Sequence, residues 1–293
     1  MIVSQIIGGL GNQMFQYAAG RALSLKLGVS LALDVSGFSS YGLHQGFELD
    51  RLFYGDIKFA SELDVHSLLG WQNLPGVRRI LSRNSMSYIR SNKFVFEPHF
   101  EYWQAINEVP NESYLMGYWQ SEKYFSVIEQ KIRDDFVFRP ELNSQNAQLA
   151  LKISQLNAVS LHIRRGDYAN NPTVTATHGL CPISYYQNAI NYISAQVEQP
   201  YFFIFSDDMG WVKENLKIDL PCIYIDHNQG AESYNDMRLM SLCRHHIIAN
   251  SSFSWWGAWL NASPDKIVIA PKKWFANDFN TQDLLPTQWL KCE

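Results

Sequence analysis

The chain has 293 residues, a length that fits two domains of ordinary size, each able to bury its own core. Hydrophobic residues make up 46% and charged residues 18%, which excludes an intrinsically disordered chain. Twenty-four basic side chains stand against 28 acidic ones, a net charge of −4 with no long basic run. Net charge therefore gives no support to a nucleic-acid partner or a membrane-surface role, and any anion site must be local.

The opening MIVSQIIGGLGNQ has neither a basic n-region nor an apolar stretch of signal-peptide length. No window approaches the ~18 uninterrupted apolar residues of a spanning helix. A cytoplasmic protein is expected, with peripheral contact at the inner face of a membrane left open. In chain order, Ile2 to Ile7 reads as a strand, Gly8-Gly9-Leu10-Gly11 as a turn, Met14 to Leu27 as a helix and Ser30 to Asp34 as a second strand. This βαβ start favours a parallel sheet. The stretch from Tyr41 to Asn111 mixes helical and irregular pieces, some basic, such as Arg78-Arg79.

The polar run Arg139 to Leu149, with Pro140 near its start, suggests a boundary between domains at 1–145 and 146–293. Beyond it strands and helices alternate. Strands are expected at Ala158 to Ile163, Tyr201 to Phe205, Cys222 to Ile225, Ile247 to Ala249 and Ile267 to Ala270. Helices are expected from Pro182, at Trp211 to Leu216, at Ser233 to Cys243 and at Trp255 to Leu260. The second half is thus a doubly wound α/β unit, in which ligands sit beyond the carboxyl ends of the strands. Those ends are polar here: His162 and Arg164-Arg165-Gly166-Asp167, Ser206-Asp207-Asp208, Asp226-His227-Asn228 and Asn250-Ser251-Ser252.

Arg164 and Arg165 at a strand end suit bidentate binding of a phosphate; the alternative is a structural ion pair with Asp167. Asp207 and Asp208 invite a divalent cation, but two arginines already neutralise a diphosphate, so no metal is required. The carboxylates are read instead as acceptors for a base or ribose, or as a turn or cap. The glycine turn departs from the dinucleotide fingerprint, because Met14 stands where the third glycine belongs. Gly9 and Gly11 still let backbone N–H groups approach a phosphate, and Asn12 adds an amide or caps the helix. Walker, HExxH and GxSxG patterns are absent, and Cys181, Cys222, Cys243 and Cys292 lie far apart, as reduced thiols would.

GGLGNQMFQYA (Gly8 to Ala18), GYWQSEKYF (Gly117 to Phe125), HIRRGDY (His162 to Tyr168), FSDD (Phe205 to Asp208) and the run from Asp236 to Asn261 span almost the whole chain. Together and in this order they resemble the bacterial α-1,2-fucosyltransferases of glycosyltransferase family 11. The resemblance implies an α/β chain of GT-B type, two Rossmann-like domains facing a central cleft, with GDP-β-L-fucose held by the C-terminal domain. It implies inverting transfer of fucose to the 2-hydroxyl of a terminal galactose, on an oligosaccharide or a lipid-linked glycan, in glycan or O-antigen synthesis and without a metal or other cofactor.

By the same resemblance Arg164 contacts the diphosphate, helped by Arg165, and Asn12 reaches across the cleft. His162, Asp207 or Asp208, Asp236 and Ser252 lie near the nucleotide. Asp236 also has a plain alternative, a favourable interaction with a helix dipole. The general base has no clear counterpart; Asp167 and His178 are the candidates, Asp167 otherwise locking Arg164 or Arg165 and His178 otherwise binding acceptor, with transfer to the departing diphosphate or through water as the alternative. Two other functions compete: a catalytically silent nucleotide-sugar or glycan binder, and an oxidoreductase resting only on the defective fingerprint and requiring NAD(P).

Overall fold

The computed structural model describes residues 1–40, 45–74, 76–166, 169 and 172–293. The chain divides into two compact units, Met1–Arg139 with Asn280–Pro286, and Pro140–Phe279 with Thr287–Glu293. The expected boundary at residue 145 moves back to the Arg139–Pro140 link, and 280–286 returns to the first unit. The polar run that suggested the boundary is partly a helix, Ser144–Ser154, capped by the Asn143 side chain, which accepts from Asn146 N at 2.9 Å.

The first unit is a four-stranded sheet of order β2-β1-β4-β3, made of β1 (Ile2–Gln5), β2 (Leu31–Asp34), β3 (Phe94–Phe96) and β4 (Ser113–Met116). All pairings are parallel, with Ile2 opposite Leu31 on one side and Ser113 on the other. Helix α1 (Leu10–Leu27) starts four residues earlier than the expected Met14, because Gly11 and Asn12 are helical despite their low propensity. It lies close against β1: a Cβ at Gly20 would stand 3.1 Å from Ser4 Cβ. Gly28 ends the helix at φ +65°, a conformation glycine adopts freely. Val3, Ala32, Val65, Leu68, Leu69, Phe94 and Tyr114 form a core in this unit.

The second unit is a six-stranded sheet of order β10-β9-β8-β5-β6-β7, again parallel throughout. Its strands are β5 (Asn157–Ile163), β6 (Pro200–Ser206), β7 (Cys222–Ile225), β8 (His245–Ile247), β9 (Val268–Pro271) and β10 (Leu290–Cys292). The run Phe202-Phe203-Ile204-Phe205 is wholly buried, as a strand covered on both faces must be. Side chains alternate between two cores. Val159, Leu161, Phe202 and Ile204 pack with the Ile183–Gln196 helix, whereas Ala158, Phe203 and Phe205 pack with Leu239 and Met240 of the Tyr234–Leu242 helix. Each buried phenylalanine contributes about 1.5–3 kcal/mol through its lost water contact. This two-faced burial fixes β5 and β6 side by side, so that their carboxyl ends, Ile163 and Ser206, are paired residues.

β8 lies two residues before the expected Ile247 to Ala249, because His246 is buried in the sheet. It takes a hydrogen bond with Ser160 Oγ at 2.8 Å and another with Asn261 Nδ2 at 2.9 Å, which satisfy both ring nitrogens. The Ser252–Leu260 helix likewise starts before the expected Trp255, with Ser251 as its cap.

Candidate active site

The register just described delivers two acidic and two basic side chains to one rim of the second unit. Arg164 and Arg165 follow β5 directly, and Asp207 and Asp208 follow β6. Arg164 Nη1 lies 3.1 Å from Asp207 Oδ2, and Arg165 Nε lies 3.4 Å from Asp208 Oδ2. Asp207 also accepts from the backbone N–H of Arg165 at 2.8 Å. A Cβ at Gly166 would stand 3.0 Å from Asp207 Oδ2, so glycine there gives the carboxylate room. Asp208 caps the Met209–Asn215 helix by accepting from Trp211 N at 3.3 Å. The Trp211 ring in turn lies under the Arg165 guanidinium, 4.1 Å from its centroid.

Both arginines are thus oriented by neighbouring side chains, each by a carboxylate and one also by an aromatic face. Their ion-pair partners are Asp207 and Asp208; the alternative partner, Asp167, lies outside the described residues. Among the described residues, no group of three or more His, Cys, Asp or Glu side chains is placed to hold a metal ion. His162 is the last but one residue of β5 and is buried against the ring of Phe253, at 5.9 Å between centroids. Burial lowers its pKa to about 4, so the imidazole is neutral at pH 7, and its Nδ1 is a buried atom with no partner among the described residues.

Asp236 lies in the first turn of the Tyr234–Leu242 helix. Burial raises its carboxyl to about 7, against a lowering hydrogen bond from Asn228 Nδ2 at 2.8 Å. Asn228 is itself held by Asn146, which also meets His227 Nε2 at 2.9 Å. Ser252 opens the helix that follows β8, half-buried. Asn250, two residues earlier, donates to the carbonyl of His178 at 2.9 Å and to that of Trp274 at 3.1 Å. The His178 ring lies 5.5 Å from that of Phe275. These bonds tie the end of the Pro172–His178 helix to the loop after β8.

In the first unit, Gly9 is the N-cap of α1 and Gly11 is buried in its first turn. Gly8 has φ +80°, and a Cβ there would stand 2.8 Å from Asn12 Nδ2, so the turn and the amide coexist only with glycine. Asn12 Oδ1 accepts from Gln120 Nε2 at 2.8 Å. Gln120 follows Trp119, which carries a left-handed φ of 55°, uncommon for so bulky a residue. This turn is clamped by the buried Glu97, which accepts from Tyr118 N at 2.6 Å and Trp119 N at 3.0 Å. Burial pushes the Glu97 carboxyl to about 7 in spite of those two bonds. Gln16 Nε2 holds the same turn through Gly117 O at 3.1 Å.

Sequence reasoning gave no role to Trp211, Glu97 or Gln120. Glu97 carries no local signature. Gln120 belongs to the GYWQSEKYF stretch, whose spacing from Asn12 in the chain conceals their contact.

A parallel α/β sheet in each unit, with charged residues after β5 and β6, is an α/β fold of GT-B type. NodZ alpha-1,6-fucosyltransferase of Bradyrhizobium, in crystals soaked with GDP-fucose, shares this fold with a TM-score of 0.56 over 92% of this chain and 94% of its own, at 14% identity. Residues 96–293 match the model of glycosyl transferase family 11. The chain is 37% identical over 297 residues to an alpha-1,2-colitosyltransferase of Escherichia coli, which spans 100% of this chain and 99% of that protein. It is 35% identical over 302 residues to the O-antigen biosynthesis glycosyltransferase WbnK of the same species, covering 98% and 99%. The chain belongs to glycosyl transferase family 11.

Proposed function

We propose that this chain transfers L-fucose from GDP-β-L-fucose to the 2-hydroxyl of a terminal galactose, with inversion, in the synthesis of a bacterial surface glycan. The observation that carries the reading is the pair of arginines at the end of β5, held in place by Asp207 and Asp208. The acceptor oxygen bonds to the anomeric carbon as the bond from that carbon to the diphosphate breaks, and GDP leaves with the electron pair. Charge grows on the departing oxygen, and donors already aimed at it lower the barrier. Arg164 takes that task, with Arg165 fixed beside it on Trp211.

Neutral His162 adds no third positive charge beside Arg164 and Arg165, and its Nδ1 is available as an acceptor or, in the other tautomer, a donor. Asp236 and Ser252 belong to the nucleotide side by the same reading, and Gly9, Gly11 and Asn12 to the anion-binding turn. The hydroxyl proton passes to a base, for which His178 is the described candidate, or to the leaving diphosphate. No metal is required, because the arginines supply the counter-charge.

Incubation with GDP-fucose and lactose, or a Galβ1-3GalNAc or Galβ1-3GlcNAc acceptor, should release GDP and yield a 2-linked fucoside. No transfer to any terminal galactoside rejects the reading, and tight GDP-fucose binding without product points to a silent binder. A second donor is favoured by one observation, the 37% identity to a colitosyltransferase. Colitose is L-fucose without its 3-hydroxyl, so the ratio of kcat/KM for the two GDP-sugars decides between them.

A further inference from the structure

Between Asp64 and Glu97 the sequence contains no acidic residue, yet it contains Arg78, Arg79, Arg83, Arg90 and Lys93. This stretch forms a surface lobe of the first unit, leading from the Glu62–Leu69 helix to β3. Its ends are tied together where Ser91 N donates to Gln72 Oε1 at 3.0 Å, and successive turn bonds, such as Leu74 N to Trp71 O, Arg83 N to Ile80 O and Ile89 N to Met86 O, run through it. Val77, Leu81 and Met86 face inward onto the core beside Phe94. Arg78 also turns inward, 3.2 Å from Asp34 Oδ2, and Lys93 is paired with Glu112.

What the lobe leaves outside is apolar and basic. Trp71 is 56% exposed, Leu74 56% and Tyr88 79%, with Ile80 and Ile89 exposed beside them. Arg79 and Arg83 are also exposed, and neither is paired with a carboxylate among the described residues. Helical spacing explains the split within Val77–Leu81: positions 77 and 81 share the inner face, which leaves 79 and 80 on the outer one. On a chain of net charge −4 this is a local reversal of sign, and it coincides with a concentration of exposed rings and aliphatic side chains.

We infer that this lobe docks the protein on a bilayer containing anionic phospholipid, with Arg79 and Arg83 against the lipid phosphates and Trp71, Leu74, Ile80 and Tyr88 in the headgroup layer. Tryptophan and tyrosine suit that layer, having an apolar body and a polar edge. Arginines near the surface add attraction to anionic headgroups. No helix among the described residues is long and apolar enough to cross a membrane, so the lobe supplies contact from one side only. A lipid-linked acceptor would then be met where it is embedded. The inference concerns binding alone and does not depend on the sugar transferred.

Flotation of the full chain with vesicles of phosphatidylglycerol and phosphatidylethanolamine tests it, with phosphatidylcholine vesicles as the comparison. Binding should require phosphatidylglycerol and be lost at about 1 M salt, where the screening length falls to about 3 Å. The double variant Arg79→Glu, Arg83→Glu should bind at least about tenfold more weakly, and Trp71→Ser with Tyr88→Ser should also lose binding. Both variants should keep the wild-type circular dichroism, melting temperature and turnover of a soluble acceptor. Arg164→Ala should float like the wild type, which separates this surface from the transfer reaction. Absence of binding, equal binding to phosphatidylcholine, or unchanged binding by both double variants overturns the inference. So does a dimer in lipid-free solution that Trp71→Ser breaks, since the lobe would then be an interface between copies.

Discussion

The rim of the second unit and the glycine turn of the first both present hydrogen-bond donors suited to a phosphate, but they are held in place differently. Arg164 and Arg165 carry charge, and opposite charges orient them at 3.1 and 3.4 Å. Asn12 is neutral and has no charged partner among the described residues; its amide is set by another amide, Gln120, on a turn with a left-handed tryptophan and a buried carboxyl beneath. A charged donor tolerates solvent, and Arg164 and Asp207 are each about a quarter exposed. An amide must be aimed, and aiming it uses buried and strained structure. The two regions should therefore fail in different ways when they are altered.

The largest effect is expected at the charged rim. Arg164→Ala should lower kcat/KM by ~10²–10³, equivalent to about 2.7–4 kcal/mol of transition-state stabilisation, in a GDP-release assay. Its melting temperature should scarcely move, because a part-exposed ion pair contributes only about 0–1 kcal/mol. Near-normal kinetics would remove Arg164 from the mechanism.

Next in size are the two buried carboxyls, one in each unit. Glu97 is raised from 4.5 and Asp236 from 3.8, both to about 7. The folded state therefore binds protons more tightly than the unfolded chain, so this stability is fully present below the ordinary carboxyl pKa and is lost as pH rises through about 7. Each contributes on the order of 3–4 kcal/mol to the difference between those limits. Glu97→Gln and Asp236→Asn should each flatten the fall in Tm between about pH 5 and pH 8 relative to the wild type. His162, lowered to about 4, acts in the opposite sense, its contribution being lost as pH falls below 6.5, so the comparison is between variant and wild type. An unchanged slope in Glu97→Gln would mean that this carboxyl does not titrate above its ordinary range.

A smaller effect sharpens the contrast. Gln120→Glu replaces the donor facing Asn12 Oδ1 with an acceptor and should turn the Asn12 amide over. Turnover and GDP affinity should each fall by up to about tenfold, the worth of one hydrogen bond. In an Asn12→Ala background the same change should cost nothing further, and additive losses in this cycle would refute the coupling. The smallest effect expected is that of EDTA, which should leave the rate unchanged. Loss of activity restored by Mn²⁺ would assign Asp207 and Asp208 to a metal.

Much of the second unit was legible in the sequence because long apolar strands have a clear pattern. Asn157–Ile163 and Pro200–Ser206 differ from the expected strands by only a residue at either end, and the polar residues after them form the rim. β3, β4 and β10 were not read: β3 and β4 lie in or just after the mixed stretch from Tyr41 to Asn111, and β10 is a short, largely exposed strand with Lys291 at its centre and no apolar run. The ion pairs were missed for another reason. Asp207 and Asp208 look like a metal or ribose pair in isolation, and only the β5–β6 register sets them opposite the arginines. The Trp119 turn could not be foreseen at all, since a bulky residue gives no local cue for a positive φ.

The return of 280–286 to the first unit bears on how the protein is made. Asp283 there accepts from Tyr102 N at 3.0 Å, its carbonyl takes the Ser121 hydroxyl at 2.6 Å, and its carboxylate pairs with Lys123. The half of the molecule that leaves the ribosome first therefore lacks part of itself until translation has passed through the second half. Nascent chains stalled before residue 280 should expose the Ser121–Lys123 region to proteases, and lengthening them past 286 should restore protection.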